Sequence, residues 1–467
     1  MSNTKAMAEK LAEYVCDLRF VDLPERVVET TKVAFLDWLG NAVVGSQMPP
    51  AQIVSRVLAA QGVQEQQATI IGSLGLEKPL KIVGDRRLRA TALWATLVNG
   101  SSSHIIELDD VHKASIIHAG TVVIPASLAL AEHLHSSGRE LIEAIVVGFD
   151  TCIRIGEAVT PAHYQYFHTT GTVGTFGAAA AAAKLLKLSV DETCHALGTA
   201  GTQAAGLWEF IETGAMSKHL HSGKAGYNGL LAAMLAKEGF TGALEILEGK
   251  RGFMNAMASS FDESKVLDRL GTRFTVLENC YKIHSSCRHT HHAIDLVIQL
   301  VSEHDLDPEE IQRIEVGTYQ VALDITDNPN PTSVYDGKFS IQYCTALAAV
   351  KRRAGLDEFI EENLNDDIVR DILGKVRVFV DTDANERYPE KWGARVTIFT
   401  VDGQKLEALT DYPRGDFENP VSVEELKNKF TSLVKRYLDE TVINELVSRS
   451  LSIDDLSDVS TFFNSIG

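Results

Sequence analysis

The sequence predicts a mainly α-helical protein, in which a large helical domain is followed by a smaller α+β domain and a C-terminal return to helix. Apolar residues recur at helical spacing over roughly the first 265 positions, whereas alternating strand patterns begin only after about residue 270. A chain of 467 residues is also longer than a single core usually grows. We therefore place the helical domain at 1–268, the α+β domain at 269–410 and the helical return at 411–467.

Helices are expected along most of the first domain. Apolar residues between positions 27 and 39 stripe one helix face, and Pro24 stands where a first helical turn tolerates proline. Further helical patterns are LRATALWATLVNG, TVVIPASLALAEHLHSS, LIEAIVVGFDTCIRIGEAV, GAAAAAAKLLKL and GYNGLLAAMLAKEG. Gly171, Gly174 and Gly177 put small residues on one face, which lets helices approach closely. This segment follows no strand and lacks a GxG turn, so it does not indicate dinucleotide binding.

Strands are expected in the second domain and helices again at the C-terminal end. The alternating segments are RIEVGTYQVAL, KVRVFVDTD and ARVTIFTVDGQKLEALT, and the Asp402–Gly403 pair predicts a hairpin turn in the last of them. Helical patterns lie between these strands at SIQYCTALAAVKRRAG and NDDIVRDILG. The final segment opens with Ser422 as an N-cap and Glu425 three residues later, the signature of a capping box.

Composition excludes several functional classes. The formal charge is −19, from 44 basic and 63 acidic side chains, so nucleic acids and anionic membranes are not expected partners. The N-terminal residues lack the pattern of a signal peptide, which predicts a cytoplasmic protein. Glu143 and Asp150 interrupt the longest apolar segment, so no membrane span is expected. The six cysteines form no CxxC pair, which predicts reduced thiols.

Histidine is the informative residue type for function, because many of the 15 histidines fall into four short polar clusters. The clusters are ELDDVHKASIIHAG at 107–120, HYQYFHTTGTVG at 163–174, SKHLHSGKAG at 217–226 and NCYKIHSSCRHTHH at 279–292. Any one histidine could simply cap a helix or satisfy a buried carbonyl group. The four clusters together favour a functional site.

Three kinds of chemistry are open to these clusters. Asp109 with His112, or the HTHH run at 289–292, are the best local metal ligands, but no HExxH motif or paired spacing supports them, so no metal is predicted. The chain has no GxSxG motif, and Cys287 beside Arg288 is better explained as a buried or site-lining thiol than as a nucleophile. Acid–base chemistry fits best, because histidines supply a base near neutral pH while lysine and arginine hold an enolate-like charge.

Six segments in a fixed order form a more specific pattern. They are HIIELDDVHKASIIHAG with VVIPASLALAE, FHTTGTVGTFGAAAAAAKLL, GAMSKHLHSGKAGYNGLLAAMLAKEGFTGALEILEGKRGF, KIHSSCRHTHHAID, KFSIQYCTALAA and YPRGDFENPVSVEELKNKF. Together they resemble the MmgE/PrpD family, which includes 2-methylcitrate dehydratase, cis-aconitate decarboxylase and iminodisuccinate epimerase. The resemblance covers nearly the whole chain. It implies a metal-independent, homodimeric enzyme without a cofactor, whose α+β domain is a lid inserted before the helical return.

The resemblance also implies which residues form the site. The catalytic candidates are His118, His168, Lys218, Tyr343 and Asp109, and the substrate-binding candidates are Glu107, His221, Lys282, Cys287, Arg288 and His291. His118 and His168 are the leading acid–base candidates, and Lys218 supplies a cation for a substrate carboxylate. Gly223 permits close approach of the backbone. Asp110 joins Asp109 as an orienting or capping group.

One position departs from the family pattern, because Glu107 stands where the family usually has aspartate. The main hypothesis is a lyase that removes a proton next to a carboxylate of a small di- or tricarboxylic acid, in the manner of 2-methylcitrate dehydratase. The alternatives are a cis-aconitate decarboxylase-like enzyme, an iminodisuccinate epimerase-like enzyme and, in another class, a catalytically silent helical interaction protein. His112 is expected to be peripheral.

Overall fold

The computed structural model describes residues 5–61, 66–73 and 89–464, and its chain divides into two compact units. The helical unit contains the described residues of 1–105, 109–279 and 422–467, and the α+β unit contains residues 106–108 and 280–421. The predicted mainly α-helical class is confirmed. The domain bounds that we placed after residues 268 and 410 stay a prediction.

The helical unit is built from twelve of the described α-helices and one small sheet. Its helices are α1 Met7–Asp17, α2 Glu25–Gly45, α3 Pro49–Ala60, α4 Ala92–Ser102, α5 Gly120–Leu134, α6 Gly138–Val159, α7 Thr169–Leu185, α8 Val190–Gly201, α9 Ser217–Lys237, α10 Phe253–Met257, α18 Val423–Val434 and α19 Glu440–Leu451. The strands β1 Ala68–Thr69 and β2 Arg89–Ala90 pair antiparallel. The C-terminal helices α18 and α19 pack on α2.

Several of these helices begin at capping boxes. Ser422 accepts a hydrogen bond from the backbone N–H of Glu425, whose carboxylate accepts one from the N–H of Ser422, as predicted. Ser137 with Glu140 begins α6 in the same way. Each such cap satisfies backbone donors that the helix cannot pair itself, and its loss costs about 0.5–2 kcal/mol. These sequence signals therefore fix where the helices begin.

Small residues let the central helices of this unit pack closely. A methyl group added at Gly177 would lie 2.7 Å from the Gly148 carbonyl oxygen, and one added at Gly174 would lie 3.0 Å from the Val122 side chain. The predicted close approach along this glycine face is confirmed. This close approach places α7 against α5 and α6, and the first turn of α7 is buried.

Replacing Gly223 with alanine is expected to lower the free energy of unfolding by about 1–3 kcal/mol or more, because overpacking a filled interior forces the backbone apart. The added methyl group would lie 2.2 Å from the Leu97 carbonyl oxygen and 2.3 Å from Ser101 Oγ. Gly374→Ala is the control, since nothing lies within 4 Å of its added methyl group. In a helix such a change stabilises by about 0.5–1 kcal/mol. Urea unfolding of both variants measures the difference, and equal effects would contradict the prediction.

The α+β unit is built on a four-stranded sheet with the order β4–β3–β5–β6. Its strands are β3 Ile311–Thr318, β4 Val376–Val380, β5 Ala394–Thr400 and β6 Lys405–Thr410, and its helices are α11 His291–Glu303, α12 Gln320–Thr326, α13 Val334–Gly337, α14 Ile341–Lys351, α15 Glu361–Leu364, α16 Asp367–Lys375 and α17 Thr382–Arg387. The strand β3 pairs parallel with β4 and antiparallel with β5. Helices α11, α14 and α16 pack on the sheet around its apolar core.

Two strand predictions in this unit had different outcomes. The β5–β6 hairpin is confirmed, and Gly403 has the left-handed φ of 91° that its turn requires. The extension of the first strand through YQVAL is wrong, because Gln320–Thr326 form helix α12. Apolar residues in so short a segment fit either period, and here the buried side chains Ala322 and Thr326 lie four residues apart.

The described cysteines are all free thiols, as predicted. Among the described residues, no helix has both the length and the apolar character needed to cross a membrane.

Candidate active site

The segment that joins α4 to α5 brings two histidines of the helical unit to one carboxylate. His104 Nδ1 lies 2.7 Å from Asp109 Oδ2, and His118 Nδ1 lies 2.9 Å from the same oxygen. His104 and Asp109 are fully buried, whereas the side chain of His118 is 11% exposed. Two ring nitrogens that converge on one carboxylate oxygen both act as donors to it.

The tautomer of His118 is fixed by its second contact. Its Nδ1 also lies 2.6 Å from the backbone carbonyl oxygen of Asp110. A carbonyl oxygen only accepts hydrogen bonds, so Nδ1 must carry a proton. The other nitrogen, Nε2, is therefore the atom of His118 that can accept or deliver a proton. The backbone N–H of His118 donates to Thr170 Oγ1 at 3.2 Å, which ties this segment to the start of α7.

His104 was not among the predicted site residues. Burial lowers the pKa of this imidazole to about 3, so the ring is neutral. Its Nε2 is buried and makes no hydrogen bond to a described residue. The His104 carbonyl oxygen accepts a hydrogen bond from His219 Nδ1 at 3.1 Å. The available signal was the position of His104 as the first residue of the HIIELDDVHKASIIHAG segment, two residues after the end of α4.

His168 lies at the start of α7 and stacks on His104, with ring centroids 5.5 Å apart and an interplanar angle of 13°. Its Nδ1 lies 3.1 Å from Nδ1 of His221 on α9. Burial comes first, and together with repulsion between a charge on His168 and charges on His104, His221 or Lys218 it lowers the pKa of His168 well below its ordinary value. His168 is therefore held neutral.

Lys218 lies in the first turn of α9 and is 2% exposed. Burial is the main cause of the lowered pKa values of His104, His168 and His221, and the positive charge of Lys218 lowers each of them further. A buried cation at a helix N-terminus is unfavourable by itself, because the helix dipole there attracts anions. Lysine and helix terminus together favour a bound carboxylate.

Asp110 is the buried carboxyl group next to this cluster. Burial, together with the carboxylates of Asp109 and Asp37, raises the pKa of Asp110 to about 7. Its Oδ2 accepts a hydrogen bond from the backbone N–H of Gly120 at 3.1 Å, where α5 begins. Asp110 thus orients the segment that carries His118, the capping role predicted for it.

The Asp110→Asn variant is expected to have a flatter dependence of stability on pH between about 4 and 7. The folded state holds the Asp110 proton more tightly than the unfolded state does, so this group's contribution is complete below pH 4 and falls as pH rises through 7. The slope within this window is about 1.4 kcal/mol per pH unit. Urea unfolding at a series of pH values measures it.

Asp402→Asn is the control for this comparison, because hydrogen bonds from Thr400 and Gln404 lower the pKa of that exposed carboxyl group. It should not flatten the profile. Parallel profiles for the parent and Asp110→Asn would contradict the raised pKa of Asp110.

His112 lies in a different cluster of the helical unit. Its Nδ1 contacts Ser115 Oγ at 2.9 Å, and its Nε2 lies 3.5 Å from Glu278 and 3.9 Å from Glu157. Both carboxylates also pair with Arg273. His112 therefore serves an ion-pair network, in line with the peripheral role predicted for it.

Within the part of the chain that the structure describes, the ligand atoms of two groups come close enough to hold a metal ion: His104 with Asp109 and His118, and His112 with Glu157 and Glu278. In the first group both Nδ1 atoms already donate to the carboxylate, and the hydrogen bond to Asp110 fixes the proton on His118. In the second group, Arg273 neutralises the carboxylates. Both geometries fit hydrogen-bonded networks better than ligand sets.

Glu107 and Lys282 form a buried ion pair within the α+β unit. Lys282 Nζ lies 3.2 Å from Glu107 Oε2, and both side chains are 1% exposed. Glu107 has a left-handed φ of 60°, which is uncommon for a residue other than glycine. Nearby, Lys338 Nζ donates to the Ile106 carbonyl oxygen at 3.0 Å and to Ser285 Oγ at 2.9 Å. Lys338 was not among the predicted site residues, although it is the first residue of the KFSIQYCTALAA segment.

Arg288, Cys287 and His291 occupy another buried part of this unit. The Arg288 guanidinium pairs with Asp416 and lies 2.8 Å from His291 Nδ1. It also donates to the Arg414 carbonyl oxygen at 3.1 Å. The Cys287 backbone N–H donates to the Lys338 carbonyl oxygen at 2.9 Å. These contacts hold the loop before α11 to the segment around Asp416, and the substrate-binding role of these residues stays a prediction.

Tyr343 lies in the first turn of α14 and is 1% exposed. Its hydroxyl group makes no hydrogen bond to a described residue. Burial raises the pKa of Tyr343. The hydroxyl is thus protonated and can donate a hydrogen bond to a bound ligand. This is compatible with the catalytic role predicted for Tyr343, which stays a prediction.

The predicted site residues therefore fall into two groups by unit. Asp109, His118, His168, Lys218 and His221 form one cluster in the helical unit, completed by His104. The others belong to the α+β unit, where Glu107 pairs with Lys282, Arg288 contacts His291 beside Cys287, and Tyr343 lies on α14.

Comparisons with known proteins cover nearly the whole chain. A family model described as the MmgE/PrpD N-terminal domain matches residues 9–265, and the model of the MmgE/PrpD C-terminal domain matches residues 284–452. A cis-aconitate decarboxylase-like protein, oryM, of Aspergillus oryzae is 28% identical over 97% of this chain and 95% of its own length. The cis-aconitate decarboxylases of Aspergillus terreus and Homo sapiens are each 27% identical over 98% of this chain, covering 96% and 93% of their own lengths.

Proposed function

This chain belongs to the MmgE/PrpD family, and from that membership and the geometry of the histidine cluster we propose that it is a lyase that decarboxylates cis-aconitate or a closely similar unsaturated tricarboxylate. The observation that carries the proposal is one cluster with a buried lysine, a buried carboxylate and four imidazoles. The similar curated proteins favour decarboxylation over the hydro-lyase activity of our main sequence-based hypothesis.

The reaction makes three demands on the site. The carboxylate on the CH₂ arm of cis-aconitate leaves as CO₂, and its bonding electrons form a new carbon–carbon double bond. The electrons of the former double bond move to the carbon next to another carboxylate, which takes up one proton. The enzyme must therefore hold carboxylates, stabilise an enolate-like charge and deliver a proton to carbon.

Lys218 meets the first two demands. Its buried ammonium group at the start of α9 offers both a positive charge and a helix N-terminus to a carboxylate. A low-dielectric site strengthens this attraction, and the attraction grows as charge develops on the substrate. Lys218 is thus the group that stabilises the transition state.

The two histidines differ in what they can do with a proton. His118 presents Nε2 to the site, and Asp109 behind it supplies the negative charge that stabilises an imidazolium forming there. Burial holds His168 neutral, so it suits proton transfer better than charge pairing. We assign carboxylate and enolate binding to His118 with Asp109, and delivery of the proton to His168.

The test is incubation of the parent protein with cis-aconitate, with release of CO₂ followed against formation of the hydrated product. We expect CO₂ release. His118→Ala and Lys218→Met should each lower kcat/KM by at least about 100-fold, since each removes a group that acts in the transition state. Lys237→Met, at the exposed opposite end of α9, is the matched control.

Addition or loss of water without CO₂ release would favour the 2-methylcitrate dehydratase-like alternative, and inversion at a carbon centre would favour the epimerase-like one. Folded His118→Ala and Lys218→Met variants with parental activity would overturn the assignment of the site. A parent protein that turns over no such acid would favour the catalytically silent alternative. A lid role for the α+β unit, a homodimeric assembly and a cytoplasmic location belong to the same proposal, on the family resemblance.

A further inference from the structure

His168 and His221 face each other through their Nδ1 atoms, which are 3.1 Å apart. A hydrogen bond between two ring nitrogens needs one N–H group and one lone pair. When both rings are neutral, one ring must therefore carry its proton on Nδ1 and the other on Nε2. The tautomer of each ring fixes the tautomer of the other.

The surroundings keep both rings neutral. Burial lowers the pKa of His221 to about 4, with help from Lys224 and Lys218, and it lowers the pKa of His168 further below its ordinary value. Trp208 and Phe210 pack edge-on against His168, with ring centroids 5.0 and 5.8 Å away. Protonation of either ring to a positively charged imidazolium is thus unfavourable.

Because His168 is neutral, it cannot easily deliver a proton to the substrate on its own. A neutral imidazole that gives up its Nε2 proton becomes an imidazolate, unless its Nδ1 receives a proton in the same step. Decarboxylation consumes one proton, so the donor must be supplied from elsewhere. The only hydrogen bond from the His168 ring to a described residue is the one to His221.

We propose that His221 is the proton-relay partner of His168 and passes a proton from water to this buried histidine during the reaction. This inference rests on the proposed function. His221 acts through His168 and is therefore a positioning residue.

The relay step moves three protons. Before it, His168 carries a proton on Nε2, and His221 Nδ1–H donates to His168 Nδ1. The substrate carbon takes the Nε2 proton, His168 Nδ1 takes the proton of His221 Nδ1, and His221 Nε2 takes a proton from water. Both rings end neutral with exchanged tautomers, and one proton has passed from water to carbon. After product leaves, His168 Nε2 takes a proton from water, its Nδ1 proton returns to His221 Nδ1, and His221 Nε2 gives its proton to the hydroxide just formed. The pair is then reset, and one hydroxide ion remains in solution for each proton that the decarboxylation consumed.

Two glycines, Gly171 and Gly206, pack closely against the His221 side chain. Methyl groups added at Gly171 and Gly206 would lie 3.2 Å from His221 Cβ and 3.3 Å from His221 Nδ1. The Gly206 carbonyl oxygen accepts the backbone N–H of His168 at 3.0 Å, which fixes the spacing of the two rings. His221 is half-buried, whereas His168 is 1% exposed, so His221 is the ring nearer to water.

The key variant is His221→Asn, because an asparagine amide can keep the hydrogen bond to His168 Nδ1 but cannot pass a proton through. We expect kcat to fall by about 10²–10⁴-fold, the usual contribution of acid–base catalysis. KM should change by less than about threefold, because substrate binding is unaffected. The proton inventory in mixed H₂O and D₂O should be curved for the parent and linear for the variant.

A second variant, His221→Ala, tests the relay by chemical rescue. Added imidazole should restore at least about tenfold of the lost kcat. His195→Ala is the matched control, since His195 is a half-buried histidine on α8 of the same unit that contacts Gly242. Imidazole should leave that variant unchanged.

Near-parental kcat in His221→Asn, or a loss that imidazole cannot rescue in His221→Ala, would overturn the relay. Failure of the proposed function is seen separately, as a parent protein that does not decarboxylate cis-aconitate. The pair is then judged by nitrogen NMR of histidine-labelled parent protein without substrate. A coupling across the Nδ1–Nδ1 hydrogen bond supports the relay pair, and its absence rejects it.

Discussion

The Asp109→Asn variant is expected to lose about 10³–10⁴-fold in kcat toward the substrate, because the carboxylate orients His118 and stabilises positive charge on it, as in other histidine–carboxylate pairs. In this chain Asp109 Oδ2 receives Nδ1 of both His104 and His118, at 2.7 and 2.9 Å. An amide keeps an acceptor oxygen but loses the charge, so His118 should keep its place and lose its function. Steady-state kinetics on cis-aconitate measure the loss.

Asp150→Asn is the control for this prediction. Asp150 is also fully buried in the helical unit, where its carboxylate accepts hydrogen bonds from Tyr14 and Thr275, and none of its hydrogen-bond partners among the described residues is a histidine. It should cost stability but leave kcat close to the parental value. If both variants lost activity equally, the loss would reflect damage to the fold, and the role of Asp109 would be rejected.

The Lys282→Met variant is expected to lower the free energy of unfolding by about 3–5 kcal/mol, because it removes the cation from a buried ion pair and leaves the Glu107 charge in a dry interior. The pair is 3.2 Å long and both side chains are 1% exposed. The double variant with Glu107→Gln should cost less than the sum of the single variants, by about 1–3 kcal/mol of coupling. Urea unfolding of the four proteins closes the cycle.

Lys375→Met supplies the matched control within the same unit. Its partner Asp371 is 64% exposed, and solvent screening limits such a surface pair to about 0–1 kcal/mol. Equal losses in the free energy of unfolding for Lys282→Met and Lys375→Met, or strict additivity in the cycle, would contradict the prediction. The buried pair would then contribute no more to stability than the exposed pair.

Much of the fold could be predicted because its signals are local. The capping box at Ser422 and the hairpin at Gly403 need only neighbouring residues, and both are found. The YQVAL segment failed because its apolar spacing fits strand and helix alike until packing decides.

The site was predicted in part, for a similar reason. Residues inside recognisable motifs, such as His118 and Lys218, could be selected. His104 opens the HIIELDDVHKASIIHAG segment but was not selected, because its role depends on meeting Asp109 in a turn whose geometry no periodicity encodes. The pairing of His168 with His221 likewise joins two residues that lie 53 positions apart in the sequence, one at the start of α7 and one on α9.

The order of the helical unit along the chain has a consequence for synthesis. Helix α2 is covered by α18, where Phe430 lies 3.0 Å from a methyl group added at Gly40 and Lys429 pairs with Asp37 at 2.6 Å. Residues 46–422 separate the two helices in sequence, and a ribosome needs roughly twenty seconds or more to make such a stretch. During that interval α2 has emerged without its cover. A chaperone that shields this apolar face on the nascent chain would be released only when the last helices arrive.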